Sequence, residues 1–416
     1  MLTRNGLWKL RPADGASASI VIAGDCFPHK SAEDYIQQGH GKELLSSIRP
    51  VLDSADLRII QWETVVTTEN TPIIKAGPNL AVAPETARLL EDGHFNIALL
   101  ANNHTGDHGP HEVLRTLKEL KKRGILTVGA GADAKKAAKP LHFEKNGLQF
   151  SLLNACEMEF GTALAGKAGA NAMDEYALRE QISAECAAGF LVIVVTHGGN
   201  EYNPIPSPLL KKRSRSFADA GAALVMNIHT HCPQGIEVWN QVPIVYSPGN
   251  FFFPKSPFEV KNFWWSGYLP KFTFDARGVA SLEITPYMFS PDPWKITALE
   301  GKARAWYLDY LNRISRLLLT DGDRLYDIWT VYRMSMPLNW IKNAPAEKLE
   351  RDPEDPDALK ALPGIRHMLT CQAHNELARN MLLMIEEKRI SAAKAQLPEL
   401  EELRTARFAE SGNEPE

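Results

Sequence analysis

The sequence lacks the usual marks of membrane, secreted and nucleic-acid-binding proteins. Its apolar runs, such as Leu191 to Val195, are far shorter than the roughly 18 to 20 apolar residues that a membrane-spanning helix needs. The N-terminal segment has no apolar stretch followed by a cleavage site, so no secretory signal is predicted. Lys and Arg total 46 against 50 Asp and Glu, which leaves no basic excess to hold nucleic acid. We therefore expect a cytoplasmic protein with no membrane span and no nucleic-acid partner.

Several common catalytic and structural motifs are also missing. The five cysteines are an odd number without a C-x-x-C pair, which argues against a disulfide or zinc-finger framework. Neither a G-x-x-x-x-G-K-[ST] loop nor a G-x-S-x-G elbow is present, and Gly129-Ala130-Gly131 lacks the third glycine of a dinucleotide fingerprint. These absences exclude a P-loop NTPase, an ordinary serine hydrolase and a dinucleotide-binding enzyme.

Hydrophobic patterning divides the chain into an α/β part and a helical part. From about Ser19 to Thr285, short β-branched runs alternate with amphipathic helical patterns, as in proteins built around a central sheet. Beyond Pro291-Asp292-Pro293 the apolar residues follow helical spacing. We expect an α/β domain over residues 1–298 and a helical C-terminal region over residues 299–416. Strands are predicted at Ile20–Ala23, Leu57–Ile60, Ile97–Leu100, Phe150–Leu153, Leu191–Val195, Ala223–Met226 and Ile244–Tyr246.

Unusual polar residues follow these buried strands. In open α/β sheets, ligands bind beyond the carboxyl ends of the strands, so residues distant in sequence would converge in one crevice. Carboxylates, an amide oxygen and imidazoles form a mixed shell suited to Zn²⁺, Mn²⁺ or Fe²⁺. Six ligands exceed one tetrahedral site but suit two metals about 3.5 to 4 Å apart, as in hydrolysis of a phosphoester or related linkage. The strand ends carry Asp25, Glu63, Asn102-Asn103-His104, His197, His229-Thr230-His231 and Ser247-Pro248-Gly249-Asn250.

Each of these features also has an ordinary structural explanation. A single Asp25 or Glu63 after a strand is most often a turn former or a helix cap. The run from Asn102 to Asp107 suits a polar loop that caps the next helix. His229 and His231 are more specific, because alternate residues of an extended segment project to the same side and offer two imidazoles to one centre. The set as a whole therefore predicts a metal site better than any member does.

The remaining histidines and the cysteines do not share this context. We expect no ligand among those histidines, because a solvated or hydrogen-bonded structural role is the default. Cys26 and Cys232 directly follow two predicted ligands, but a small buried residue is the favoured interpretation of each. The histidines excluded as ligands are His29, His40, His94, His108, His111, His142, His367 and His374.

The order and spacing of the motifs resemble the CapA/PgsA family of capsule poly-γ-glutamate biosynthesis proteins. The resemblance covers about residues 18 to 255 and implies a calcineurin-like metallophosphatase fold, an α-β-β-α sandwich, which a C-terminal all-helical extension follows. The motifs that carry it are Gly24-Asp25, Glu63-Thr64, Ala101-Asn102-Asn103-His104 with Asp107, His197-Gly198-Gly199-Asn200-Glu201-Tyr202, His229-Thr230-His231 and Ser247-Pro248-Gly249-Asn250.

The resemblance also implies a role for each site residue. His104 would be the acid/base, with Asp107 fixing the tautomer of its ring. Glu201 and Tyr202 would line the substrate side, and Asn250 would hydrogen-bond the loop that carries the histidines. Two divalent metal ions, Mn, Zn or Fe, would be the cofactors, with Glu63 as their bridge. The metal ligands would be Asp25, Glu63, Asn103, His197, His229 and His231.

Three functional hypotheses follow. The first is a metal-dependent hydrolase or transferase acting on γ-linked polyglutamate, an anionic polymer attracted by the metals and by Lys75, Lys211, Lys212 and Arg213. The second is a metallophosphoesterase acting on a small phosphoester or nucleotide. The third is a non-catalytic assembly subunit whose C-terminal helices bind a polymer synthase. We favour an enzyme, because burying a full acidic and imidazole set without metal is unfavourable.

Overall fold

The computed structural model describes residues 1–255 and 263–405. The strand predictions are confirmed in position, and two long late strands, Ser266–Asp275 and Gly278–Ser290, form an antiparallel pair. The strands are β1 (Leu7–Lys9), β2 (Ala18–Cys26), β3 (Leu57–Trp62), β4 (Val65–Val66), β5 (Ala81–Val82), β6 (Ile97–Leu99), β7 (Leu126–Val128), β8 (Ala130–Gly131), β9 (Leu141–Lys145), β10 (Leu148–Cys156), β11 (Gly169–Ala170), β12 (Leu191–His197), β13 (Leu224–Ile228), β14 (Ile236–Trp239), β15 (Val242–Val245), β16 (Asn250–Phe252), β17 (Ser266–Asp275), β18 (Gly278–Ser290) and β19 (Lys295–Ala298).

The strands form two large sheets rather than the one central sheet that the patterning predicts. The larger has nine strands in the order β1-β18-β17-β2-β3-β6-β7, with β16 beside β2 and β19 beside β18. The smaller has six strands in the order β14-β15-β13-β12-β10-β9. Within them, β2, β3, β6 and β7 are mutually parallel, and so are β10, β12, β13 and β15. Apolar runs alone cannot assign a strand to one of two sheets, because both sets are buried on both faces.

The two sheets pack face to face. Ile22 and Leu99 of the larger sheet belong to the same apolar cluster as Ile193 of the smaller sheet. Phe150 of β10 meets Phe274 of β17 edge to face, with ring centroids 5.3 Å apart. Because successive side chains of a strand point to opposite faces, one face of each sheet is left to be covered by helices.

Helices cover the outer faces. Val21 and Ile60 pack in a second cluster with Leu44 and Leu89 from short helices, and two longer helices cover the smaller sheet. This is the four-layer α-β-β-α sandwich that the family resemblance implies. The helices preceding residue 299 are α1 (Ser31–Tyr35), α2 (Gly41–Leu44), α3 (Arg49–Asp53), α4 (Arg88–Asp92), α5 (Pro110–Lys122), α6 (Ala134–Ala137), α7 (Glu175–Ala187) and α8 (Pro208–Asp219), with short turns of other helix types at Ile36–His40, Pro84–Ala87 and Phe263–Trp265.

The C-terminal region is helical as far as the structure describes it. Its Tyr307 and Leu311 are buried in the same cluster as the sheets, so it is packed on the sandwich. Residues 406–416 of the predicted helical region lie outside the described residues. None of the described helices is long and apolar enough to cross a membrane. The helices are α9 (Gly301–Thr320), α10 (Gly322–Arg333), α11 (Ser335–Lys342), α12 (Ala346–Arg351), α13 (Pro356–Thr370), α14 (Gln372–Glu386), α15 (Ile390–Lys394) and α16 (Leu397–Thr405).

Candidate metal centre and its pocket

The carboxyl ends of parallel strands from both sheets meet at one edge of the sandwich. Asp25 is the penultimate residue of β2, Glu63 follows β3, and His197 ends β12 in the other sheet. The His197 Nε2 lies 3.3 Å from both Asp25 Oδ1 and Glu63 Oε1, and all three side chains are buried. The topology therefore brings together residues that are more than 170 positions apart in the chain.

The histidine loop after β13 has a different backbone from the one that the sequence predicts. The strand ends at Ile228, and His229 and His231 have φ values of 113° and 54°. The prediction of an extended segment is wrong here. The two rings still reach the same centre, with centroids 5.8 Å apart, and the His229 N–H donates to Asp25 Oδ2 at 3.2 Å. Left-handed backbone at two non-glycine residues is a strain that is typical of functional sites.

The cluster contains polar atoms that the described protein residues leave without a hydrogen-bond partner. Among buried atoms these include Oε2 of Glu63, Oδ1 of Asn103 and Nδ1 of His229. Buried polar groups of folded proteins are normally paired, so these atoms call for a bound partner. All are lone-pair donors in their metal-binding forms, and no anion would suit this set. The residues therefore fit divalent metal.

Two overlapping groups of side chains could each hold one ion. In each group the ligand atoms lie within 4.8 Å of one another. One group is Asp25, Glu63 and His197; the other is Glu63, His229 and His231. Glu63 belongs to both groups, so the two groups share one carboxylate.

The protonation of the metal-free cluster reflects its excess of buried carboxylate. Burial lowers the pKa of His197, but hydrogen bonds and charge interactions with Asp25 and Glu63 outweigh burial and raise it to about 10. Burial raises the pKa of Asp25, and the Glu63 charge raises it further. Burial opposes ionisation of Glu63 as well, but the neighbouring His231 and His197 hold its pKa below the usual range. In the absence of metal, a protonated imidazole thus balances part of the negative charge.

Next to the cluster, His104 forms a hydrogen-bonded pair with Asp107. The His104 Nδ1 lies 2.6 Å from Asp107 Oδ2, and both side chains are buried. The same carboxylate accepts from Lys75 Nζ at 2.6 Å and from the Leu80 N–H at 2.7 Å. Three donors hold Asp107 in place, which leaves Nε2 as the free nitrogen of the His104 ring.

Asn250 contacts the ring of a predicted ligand directly. Its Oδ1 lies 2.7 Å from His231 Nδ1, and its Nδ2 donates to the Trp264 carbonyl at 2.9 Å. This anchoring fixes the orientation of the His231 ring, and the same nitrogen lies 3.6 Å from Asp25 Oδ2. The ring of Tyr202 stacks on the His231 ring, with centroids 6.3 Å apart. Asn250 and Tyr202 therefore support the histidine loop in this structure.

A cavity of about 230 Å³ opens beside the cluster. Sandwich residues and C-terminal helices both line it, which the sequence interpretation did not foresee. His367 and His374, predicted to have only an ordinary structural role, stand in its wall. No strand end marks them, because they come from α13 and α14. The polar lining residues are Lys75, Asn103, His104, Glu159, Asn200, Glu201, His229, Arg333, His367 and His374, and the aromatic ones are Trp329 and Trp340.

The predicted substrate-attracting cations are only partly at this cavity. Lys75 lines it, whereas Lys211 Nζ donates to the Leu318 carbonyl at 2.9 Å. Arg213 is buried, with Nη1 3.0 Å from Glu157 and Nε 2.8 Å from Glu175. Its predicted role at the substrate is wrong, because two carboxylates occupy its guanidinium. Arg333 was missed.

The two cysteines beside the cluster are buried thiols, as expected. Burial raises the pKa of Cys232 to about 12, and its Sγ contacts the Asn203 carbonyl at 3.4 Å. Burial, with the charges of Asp25 and Glu63, raises the pKa of Cys26 well above its usual value. Both thiols remain protonated near neutral pH.

The fold and the strand-end cluster place the chain in the metallophosphatase-like class of α/β proteins. Within that class, the chain belongs to the family described as bacterial capsule synthesis protein PGA_cap, whose model matches residues 19–255, more than half of the chain. The matched segment contains every predicted metal ligand and ends before the C-terminal helices.

Two curated relatives share much of the chain. The PGA biosynthesis protein CapA of Bacillus subtilis (strain 168) is 28% identical over 297 residues, which cover 70% of this chain and 76% of that protein. The capsule biosynthesis protein CapA of Bacillus anthracis is 27% identical over 300 residues, 69% of this chain and 72% of that protein. Among solved structures, a 5'-nucleotidase precursor from Thermus thermophilus is 13% identical, with a TM-score of 0.39 over 73% of this chain and 59% of its own. That structural likeness is too low to carry an argument.

Proposed function

We propose that the chain is a dinuclear metal-dependent hydrolase or transferase acting on γ-linked polyglutamate. The observation that carries this proposal is the pair of buried ligand groups that share Glu63 and lie beside a cavity containing His104. The name of the Bacillus subtilis relative, a PGA biosynthesis protein, supplies the substrate class. The ligand set is oxygen and nitrogen, which suits Mn, Zn or Fe.

The side chains divide into those that would hold metal and those that would act on the substrate. Asp25, Glu63 and His197 would hold one ion; Glu63, His229 and His231 would hold the other, and Asn103 offers an unpaired buried oxygen beside them. When bound, the ions supply Lewis acidity at the linkage to be broken. Every further step is assigned to the chain's own groups.

His104 is the proposed acid. Its Nδ1 is held by Asp107 at 2.6 Å, so a proton carried on Nε2 is the one available to a leaving group. Lys75 lies 2.6 Å from the other oxygen of the same carboxylate and holds it in its orientation. Asp107 is therefore a positioning residue, because it acts through the His104 ring.

Arg333 is the proposed anchor for substrate carboxylate. It lies at the end of α10 in the cavity wall, and among the described residues it makes no ion pair. Its Nη2 contacts Met336 Sδ at 3.6 Å. Each unit of γ-linked polyglutamate carries a free carboxylate, which a guanidinium can bind through two parallel hydrogen bonds. A cavity of about 230 Å³ accommodates only a short segment of such a chain. Glu201, in the same wall, stays a proposed substrate-side residue.

The proposal is tested by metal content and by a substrate panel. Protein purified without chelator is compared with Asp25→Ala and His229→Ala, and the exposed His94→Ala serves as the matched histidine control. We expect Asp25→Ala and His229→Ala to contain about two equivalents of divalent metal per chain fewer than the parent, and the control to match the parent. The panel consists of γ-linked polyglutamate, phosphomonoesters and phosphodiesters, each with Mn²⁺.

Each outcome separates the three hypotheses. Cleavage or transfer of γ-linked polyglutamate supports the proposal. Turnover of phosphoesters alone would replace it with the metallophosphoesterase hypothesis. A parent protein without metal after reloading, inactive on the whole panel, would contradict both enzyme hypotheses and leave the assembly-subunit hypothesis. The predicted contact between the C-terminal helices and a polymer synthase stays a prediction.

A further inference from the structure

A second group of metal-ligand residues lies outside the proposed dinuclear centre. His367, Cys371 and His374 offer ligand atoms that all lie within 4.8 Å of one another. His367 is in the last turn of α13, Cys371 joins the two helices, and His374 is in the first turn of α14. None of these three residues follows a strand, and the group begins more than 100 residues beyond the segment that the family model matches.

The hydrogen bonds around the group leave one nitrogen of each histidine ring available to bind a metal ion. The His367 Nε2 lies 2.9 Å from Glu159 Oε2, which leaves its Nδ1 as the second ring nitrogen. A histidine that ligates metal usually gives its other nitrogen to a carboxylate in this way. The His374 Nδ1 is buried and has no hydrogen-bond partner among the described residues. An unpartnered buried ring nitrogen beside a thiol and a second imidazole is the observation that points to a ligand.

We propose that His367, Cys371 and His374 bind one Zn²⁺ ion in the wall of the cavity. Thiolate and imidazole are the ligands that structural and catalytic zinc prefer, and three protein ligands leave one tetrahedral position for solvent. Binding requires the Cys371 thiol to lose its proton to solvent. The two histidine rings already lie with centroids 4.2 Å apart, so little movement is needed.

The ion would join the helical region to the sandwich. Glu159, which orients His367, belongs to the loop after β10. In the same loop, Glu157 Oε2 accepts the Ala373 N–H at 3.0 Å and contacts Cys371 Sγ at 3.3 Å. Because His367 and His374 also line the cavity beside His229, an ion here fixes the wall that faces the proposed dinuclear centre.

Cobalt substitution separates this ion from those of the dinuclear centre. The proposed dinuclear ligands are oxygen and nitrogen, so a thiolate-to-cobalt charge-transfer band in the near ultraviolet reports a cysteine ligand. We expect the Co²⁺-loaded parent to show this band and Cys371→Ser and His374→Gln to lose it together with about one equivalent of metal. Cys26→Ser, which removes the thiol beside Asp25, is the matched control and should keep the band.

The proposal stands apart from the proposed function. Asp25→Ala should lose metal from the dinuclear centre and keep the charge-transfer band, so failure of one centre is not failure of the other. Absence of the band in the Co²⁺-loaded parent, or its persistence in Cys371→Ser, would overturn the zinc site. X-ray absorption on the Zn²⁺-loaded parent, which needs no variant to fold, should show a sulfur scatterer; a spectrum of oxygen and nitrogen alone would also overturn it.

Discussion

The sandwich and the C-terminal helices contribute to the same cavity by different means. Asp25, Glu63 and His197, which form the cluster beside the cavity, are placed by the ends of hydrogen-bonded strands, so the sheet register sets their positions. Helical residues such as Arg333 and His374 are placed only by the packing of α10 and α14 against the sandwich. A local sequence pattern marks the residues at the strand ends, whereas the positions of the helical residues depend on how the helices pack against the sandwich. We therefore expect chemistry to fail when the sandwich residues change, and substrate binding when the helical ones do.

The largest expected effect is at the sandwich side. His104→Ala should lower kcat by about 10²- to 10⁴-fold, because it removes the proposed proton donor to the leaving group. Metal content should equal that of the parent, since His104 is absent from both ligand groups. Steady-state kinetics on γ-linked polyglutamate and metal analysis of the same preparation check this, with exposed His94→Ala as the control. Loss of metal in His104→Ala would show instead that the ring is a ligand.

The second prediction concerns the joint between the two regions. Arg213→Met leaves buried Glu157 without its cation, and Glu157 is the group that receives the Ala373 N–H of α14. Removing one partner of a buried ion pair typically costs about 3–5 kcal/mol, which we expect in the free energy of unfolding measured with urea. Arg313→Met is the control, because both side chains of its pair with Glu402 are exposed and its loss should cost about 1 kcal/mol or less.

A smaller loss of stability for Arg213→Met than for Arg313→Met would contradict this account of the joint. In that case the helical region would be held mainly by its apolar contacts, such as those of Leu311 and Leu377 in the main core.

The sequence was informative where chemistry follows a strand and much less so elsewhere. The seven predicted strands are confirmed, and five of the six residues predicted as ligands lie together in the two groups. Both follow from apolar β-branched runs that end in polar residues, because parallel strands bring such ends together. The extended backbone expected at His229 and His231 was wrong because the loop has left-handed residues there. The assignment of Arg213 to the substrate was wrong because a sequence does not show which cations have buried partners.

The cavity wall could not be predicted from strand patterning. The spacing of His367, Cys371 and His374 is visible in the sequence. It indicates a site only once the connection between α13 and α14 brings the three side chains together and Glu159 lies against His367. Arg333 gives no local signal at all, since a lysine or arginine near a helix C-terminus is common. Helix spacing reports which residues are buried, and not which element they will be buried against.

The third prediction tests whether the helical side serves binding. Arg333→Met should raise KM for γ-linked polyglutamate about 10- to 100-fold and leave kcat within a few fold, because a lost charge-assisted hydrogen bond to substrate is worth about 1.5–3 kcal/mol. Arg366→Met is the matched control, since that arginine lies over Phe160 outside this cavity wall. Arg333→Lys should recover only part of the affinity, because lysine cannot bind a carboxylate through two parallel bonds. An unchanged KM in Arg333→Met would remove Arg333 from the substrate site.

The smallest expected effect is a pH dependence in the helical region. Burial raises the pKa of Glu376, on α14, from 4.5 to about 7, against the hydrogen bonds from Ser207 and the Leu209 N–H. Because the folded chain binds this proton more tightly than the unfolded chain, the free energy of unfolding falls as pH rises from about 4.5 to 7, and the loss persists above 7. Glu376→Gln should remove that loss. The difference in free energy of unfolding between this variant and the parent should therefore shift in favour of the variant by on the order of 1–2 kcal/mol between pH 5 and pH 8.

Urea unfolding of both proteins across pH 5 to 8 measures this difference, and Glu386→Gln, an exposed carboxylate of the same helix, should leave the pH profile of the parent unchanged. A parallel pH profile for Glu376→Gln and the parent would mean that the Glu376 carboxylate is already solvated and that α14 lies less tightly against the Leu209 turn than the hydrogen bond of 2.8 Å indicates. The helices would then cover the cavity loosely, and the contrast between a site fixed by strands and a wall fixed by docking would be sharper still.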